Sequence, residues 1–449
     1  MPESAAPAAD GAARRLARAG ARAVHSTTAA IDRHTVASSV AGLAILALSS
    51  WYVTWHVPTS SWLFTSHYAV GFKDLVYRIY DIERVQHGGT LYSARDHLQY
   101  FVYPPAAAWL FWPLTWSTVF VGELWWTFLS LLCLAAMIAS TGHFACAWRW
   151  PKAWAIALVL GAPLSMLVLQ PVGVHLALGQ VGLFLAAAAT YDLLCVRGRA
   201  RGLLVGVTAA LKIYPIVYFA IFVLRREWRA LANACAGLVA TTALAWIAFP
   251  SDSATFFLHR LLSGRELRHY WHNAHWISSS SSVYTMFFRQ PFTGSAIERS
   301  IGFALCVAVI GLGVAAAWRQ TVEGREVGAF LCVALASTIG SPVSWDHYFI
   351  WVVLVPFVLV ERGTLPWYRT ASLGLFSLTC LVPLRLARNE DLSHKAYDWI
   401  FVVIFTARNA FAAVSLLWLL AALVPGRERF TPTQGSDATS SPTHAASAS

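Results

Sequence analysis

The sequence predicts an all-α integral membrane protein, a multi-span helical bundle. Three observations carry that prediction. Of 449 residues, 57% are apolar or aromatic and 12% are charged, about half the charged share of a soluble domain, roughly 25%. The polar residues fall in short bursts between apolar runs, many of them long enough for a helix of about 20 residues to cross a hydrocarbon core. Arginine and lysine clusters recur at alternate ends of those runs, as orientation signals do. The excess of 33 Lys and Arg over 22 Asp and Glu, a formal charge of +11, is not gathered on one surface, so no nucleic-acid partner is expected. Six of the seven cysteines sit inside apolar runs without metal-ligand spacing and read as small core residues.

Residues 1–34 are alanine-rich with Arg14, Arg15, Arg18 and Arg22 and no cleavage pattern, which reads as a cytoplasmic arm. A catalytic membrane domain is expected over 35–424, with outer loops at 54–102, 251–299 and 385–399 and a disordered cytoplasmic tail at 425–449. Spans are expected near 36–53, 103–140, 153–169, 183–196, 231–249, 301–317, 327–339, 349–360, 370–382 and 400–423. The run 203–224 is the difficult piece. As a single helix it would put Arg197–Arg201 and Arg225–Arg229 on opposite sides. As a hairpin turning at Lys212-Ile-Tyr-Pro215 it leaves both clusters cytoplasmic, as the positive-inside rule favours. That gives cytoplasmic termini and about ten to twelve crossings.

On this topology the chemistry collects on the outer side: Asp74, the segment His175 to Gln180, Lys212, and Ser341 to His347. A transporter would place its polar groups near mid-membrane within repeats, and the chain shows no internal repeat. An acid, a base and cations on one side suit an enzyme meeting its substrates at the outer leaflet. Asp74 alone could equally cap the helix that follows it. A lysine within an apolar run, such as Lys212, calls for an anion or a wet cavity, or for snorkelling to the interface. His347 could be a hydrogen-bonded core histidine.

The ordered motifs narrow this. Asp74-Leu-Val-Tyr77, Tyr92, Tyr103-Pro-Pro105, Leu178-Gly-Gln-Val181, Leu211-Lys-Ile-Tyr-Pro215 and Ser341-Pro-Val-Ser-Trp-Asp-His347 resemble, in that order, the signature of glycosyltransferase family 87. The resemblance covers roughly 36–360. It departs at Ala177 and Gly182, where the family usually has Asn, at Ser278–Ser282 in place of Asn-Gln-Ser, and at Tyr348 in place of a second His.

The resemblance implies a GT-C-type fold and a polyprenyl-phosphate-mannose-dependent α-1,2-mannosyltransferase of the phosphatidylinositol-mannoside type. Its active site would lie on the outer face of the plasma membrane and its acceptor would be a phosphatidylinositol mannoside or lipomannan. It implies Asp74 as catalytic base and no cofactor. A phosphate leaving group needs no protonation, so one carboxylate suffices to deprotonate the acceptor hydroxyl, while cations meet the departing phosphate. Lys212 and His347 are the first candidates for that role. Tyr103, His175, Gln180, Arg268 and Trp345 are candidates for lining the substrate site. His269, His272 and His275 have helical spacing, but no cysteine or carboxylate completes a metal site, so no metal is expected. The alternatives are a lipid-linked arabinofuranosyltransferase and a flippase or transporter of lipid-linked sugars.

Overall fold

A computed structural model describes residues 19, 22, 25–56, 71–92, 101–261, 282–288, 295–381 and 397–425, without the side chains of 397–408. Among them there is no strand, only an isolated bridge between Leu169 and Leu381. The helices are α1 (Thr35–His56), α2 (Lys73–Gln86), α3 (Val119–Ala145), α4 (Trp150–Val168, with a π-turn at Ala157–Gly161), α5 (Gln170–Leu178), α6 (Gly182–Leu194) and α7 (Leu203–Leu211). Then follow α8 (Phe219–Leu224), α9 (Trp228–Ala248), α10 (Ala296–Val322), α11 (Glu326–Ile339), α12 (Asp346–Val360), α13 (Trp367–Thr379) and α14 (Tyr397–Leu423). Five of these, α1, α3, α4, α9 and α10, are long and apolar enough to cross a membrane. The predicted all-helical membrane architecture is the one observed.

Local chemistry sets the ends. Thr118 caps α3 by accepting from Val121 N, and Ser295 and Glu298 form a reciprocal capping box at α10. Arg369, fully buried, pairs with Glu323 and donates to the carbonyls of Ala421, Ala422 and Val424, closing the end of α14. Those carbonyls have no intrahelical partner, so the guanidinium satisfies them where water does not reach.

The run 203–224 is broken as the charge pattern predicts. Lys212 leaves the helix in an extended conformation, and the 3₁₀ turn Tyr214–Tyr218, with Pro215 near its start, leads into α8. Pro215 cannot donate to a helical ladder. The returning chain brings Glu227 against Arg201 at 2.6 Å, and Asn233 donates to the carbonyls of Arg199 and Arg201. Both arginine clusters therefore sit at one end of the bundle. α7 and α9 run side by side in the same direction at backbone contact: a Cβ on Gly206 would lie 2.0 Å from Ala234 O.

The core has two parts. The larger packs α3, α6, α10, α11, α12 and α14 around Leu131, Phe330, Trp351 and Trp418. The smaller gathers Phe72, Leu75, Ile79, Tyr92, Phe101, Tyr103, Phe111 and Trp126. It seats the first long loop on the end of the bundle opposite the arginines, and the candidate site lies there.

Candidate active site

Asp74 stands in the first turn of α2, where the helix dipole favours a carboxylate. It does not cap: the N-cap is Phe72, in the left-handed region at φ 55°, and no side chain caps it. Phe72 N donates to Ala177 O at 2.7 Å, and Leu75 packs on Gly179. These contacts dock the start of α2 on the end of α5. Gly179 is at φ 68°, and a Cβ there would lie 2.5 Å from Leu75 Cβ. Only glycine fits both demands.

That docking places Gln180 beside the carboxylate. Gln180 Nε2 donates to Asp74 Oδ2, its Oε1 accepts from Tyr103 OH at 3.1 Å, and Tyr103 O accepts from Tyr92 OH at 2.7 Å. Asp74, Tyr92, Tyr103 and Gln180, spread over the first three motifs and Leu178-Gly-Gln-Val181, thus form one hydrogen-bonded chain. Burial raises the Asp74 carboxyl above the ordinary carboxylate range, opposed in turn by Arg78, the Gln180 hydrogen bond, Lys73 and Lys212. A base lifted in this way is stronger than a free aspartate.

The other aspartate of α2 has a different task. Asp81 is buried and paired with Arg78 at 3.1 Å and Arg84 at 2.9 Å. Arg84 also donates to the carbonyls of Thr90 and Leu91, and Asp252 accepts from Leu91 N at 2.9 Å. Arg260 lies 4.4 Å over the Tyr92 ring and donates to Tyr92 O and Phe101 O. Asp81 holds the loop together.

Lys212, at the break between α7 and α8, faces Tyr103 and opens on a cavity of about 200 Å³. Val102, Pro104, Phe256 and Val343 supply apolar walls, and Ser341 and Tyr348 line another part. His347 is buried nearby, but its Nε2 is enclosed and has no hydrogen-bond partner among the described residues. His175 uses both ring nitrogens: Nε2 accepts from Leu183 N at 3.0 Å, so Nδ1 carries the proton, 3.2 Å from His347 O. It ties α5, α6 and the start of α12 together. Trp345 is half-buried just before α12, its carbonyl accepting from Tyr348 N. Arg268 and His269, His272 and His275 lie outside the described residues.

A family model described as glycosyltransferase family 87 matches residues 101–342. A Mycobacterium tuberculosis protein named polyprenol-phosphate-mannose-dependent alpha-(1-2)-phosphatidylinositol mannoside mannosyltransferase is 31% identical over 321 residues, 66% of this chain and 70% of its own. Its namesake from Mycolicibacterium smegmatis is 30% identical, over 64% of this chain and 68% of its own. The chain belongs to glycosyltransferase family 87. It is a multi-pass membrane glycosyltransferase.

A second M. tuberculosis relative, named for the phosphatidylinositol pentamannoside reaction, is 26% identical over 67% of this chain and 69% of its own. No solved structure matches the chain. The stretch matched by the family 87 model holds Tyr103, His175, Gln180 and Lys212, while Asp74, Trp345 and His347 lie outside it. Of the candidates, the structure brings Asp74, Gln180, Tyr103 and Lys212 together and sets His175 and His347 behind them. Tyr214 and Tyr348 also reach Lys212, and sequence reasoning assigned neither to the site. The available signal was an aromatic residue in each of the last two motifs. Asp252 was also missed, since nothing near it in sequence marks it as the partner of a residue in the first loop.

Proposed function

We propose that this family 87 enzyme transfers mannose from polyprenyl-phosphate mannose to a glycolipid acceptor, a phosphatidylinositol mannoside or lipomannan. The product is an α-1,2 linkage, formed with inversion at the outer face of the plasma membrane, and both termini are cytoplasmic. The names of the relatives support the donor and the acceptor class. One catalytic domain, 35–424, carries the reaction between the cytoplasmic arm and tail.

The observation that carries the reading is the succession Asp74, Gln180, Tyr103, Lys212. A carboxylate and an ammonium are linked through a shared glutamine–tyrosine pair, and the ammonium lines a largely apolar cavity. The acceptor hydroxyl gives its proton to Asp74 as its oxygen attacks the anomeric carbon. The carbon–oxygen bond to phosphate breaks on the far face, so a β-linked donor yields an α-mannoside. Lys212 meets the negative charge gathering on the departing phosphate. His347, enclosed behind Tyr348, supports that wall.

The test is purified enzyme with radiolabelled polyprenyl-phosphate mannose and a panel of acceptor glycolipids. Label is expected in a phosphatidylinositol mannoside, in a linkage released by an α-1,2-mannosidase. Label transferred only from a polyprenyl-phosphate arabinofuranose, or lipid-linked sugar crossing vesicles without transfer, would overturn the reading.

A further inference from the structure

The cation of this site is caged. The Lys212 ammonium lies 4.4 Å from the ring centroid of Tyr348, 5.4 Å from that of Tyr103 and 5.6 Å from that of Tyr214. The Tyr214 and Tyr348 rings are stacked, 6.4 Å apart and 24° from parallel. Each distance is within the range, about 6 Å, over which a ring face attracts a cation. Lys212, Tyr214 and Tyr348 also line the cavity, whereas the neighbouring His347 does not.

Such a cage differs from a carboxylate partner in one respect. A carboxylate consumes the N–H donors of an ammonium and cancels its charge, while ring faces hold the charge by their quadrupoles and cancel none of it. A carboxylate that influences Lys212, Asp74, is bonded to Gln180. A lysine on its four-carbon stem otherwise samples many rotamers, and fixing them is a cost that binding must meet. The rings meet it beforehand.

We propose that Tyr348 is a positioning residue for the donor phosphate, acting through Lys212 by cation–π attraction. It stands where the family pattern has its second histidine. Neutral imidazole offers a smaller and poorer ring face, and imidazolium would repel the lysine. This chain has put an aromatic clamp at that position. The inference rests on the reading that Lys212 meets the donor phosphate.

The test uses the full-length purified enzyme and radiolabelled polyprenyl-phosphate mannose. Tyr348→Phe is the parent of a series carrying one, two and three ring fluorines, which drains the ring face while keeping its shape. The donor KM is expected to rise stepwise with fluorination, and by about tenfold in Tyr348→Leu. The change in kcat should be smaller and the acceptor KM should hold. Lys212→Met should raise the donor KM by itself, and adding Tyr348→Leu to it should raise it no further. A donor KM that is flat across the fluorinated series overturns the cage, whatever Tyr348→Leu does. The isosteric series also serves if Tyr348→Leu fails to fold. An unchanged donor KM in Lys212→Met overturns the assignment of Lys212 itself, a separate failure.

Discussion

The carboxylate of Asp74 and the side-chain amide of Gln180 share a hydrogen bond although 106 positions separate them in the chain. The bond occupies Oδ2 of the carboxylate. The same glutamine receives the Tyr103 hydroxyl, whose ring faces the Lys212 ammonium.

Replacing Asp74 by asparagine keeps shape and polarity but removes the proton acceptor. Transfer should fall by roughly 10²–10⁴-fold, the usual effect of losing a general base, while the thermal midpoint of the purified protein hardly moves. Mannosyl transfer at matched protein levels checks this. An active Asp74→Asn enzyme would remove the base assignment.

Gln180→Leu should move the pH profile. If Asp74 is the base as proposed, its deprotonated form is the active one, so activity is expected above its pKa and lost as pH falls through it. Burial already raises that pKa from 3.8, and the Gln180 hydrogen bond holds it down. Removing the bond should shift the acid limb of kcat/KM to higher pH. A limb that stays in place would mean that another group titrates.

Asp81→Asn should injure the fold and spare the chemistry. Arg78, 3% exposed, and Arg84, 14% exposed, would lose their shared carboxylate, at a cost of about 3 kcal/mol for a broken buried pair. The thermal midpoint should drop while turnover per folded molecule survives. The opposite pattern, a stable but inactive protein, would make Asp81 the base.

Gly179→Ala adds one methyl group against Leu75, the neighbour of Asp74. It forces a left-handed alanine, at about 1–2 kcal/mol, into a space where Leu75 Cβ is 2.5 Å away. The start of α2 must shift, and Asp74 with it. A fall of about tenfold or more in kcat/KM is expected, since small misplacements of a reacting group are costly. Wild-type kinetics would show that α2 is not registered by this contact.

Sidedness follows from the hairpin. A cysteine at exposed Arg229, in a background lacking the other cysteines, should react with an impermeant thiol reagent only after the cells are opened. Labelling of intact cells would invert the orientation and place Asp74 on the cytoplasmic side.

The bundle was legible because its signals are local. Apolar length announces spans, and the arginine pairs around 203–224 predicted the break at Lys212 that the structure contains. Asp74, Gln180 and Lys212 were legible through motif spacing. The contacts that join them were not, because hydrogen bonds across 106 positions to Asp74 and 77 to Tyr103 leave no periodic trace. Tyr348 shows the limit well: in sequence it registers as a departure from the family pattern, and only the fold shows it lying over Lys212. His175 shows the converse. Its motif suggested a substrate ligand, but both its nitrogens serve the scaffold, and Gly182 leaves room for its ring, where a Cβ would lie 2.5 Å from Cε1.

The bond from Leu91 N to Asp252 joins the first long loop to a segment 161 residues later. A ribosome adding about 5–20 residues per second needs roughly 10–30 s to make that stretch. During this time the far end of α2 can bond to Thr115 through Gln86, but the loop after it lacks the carboxylate that receives Leu91 N. The loop that follows Asp74 therefore gains this bond only after α9 has been made, and a chain cut before residue 252 is expected to lose activity. Competence to handle an activated lipid-linked sugar arrives late in biogenesis, when the bundle that must shield it from water is already largely assembled.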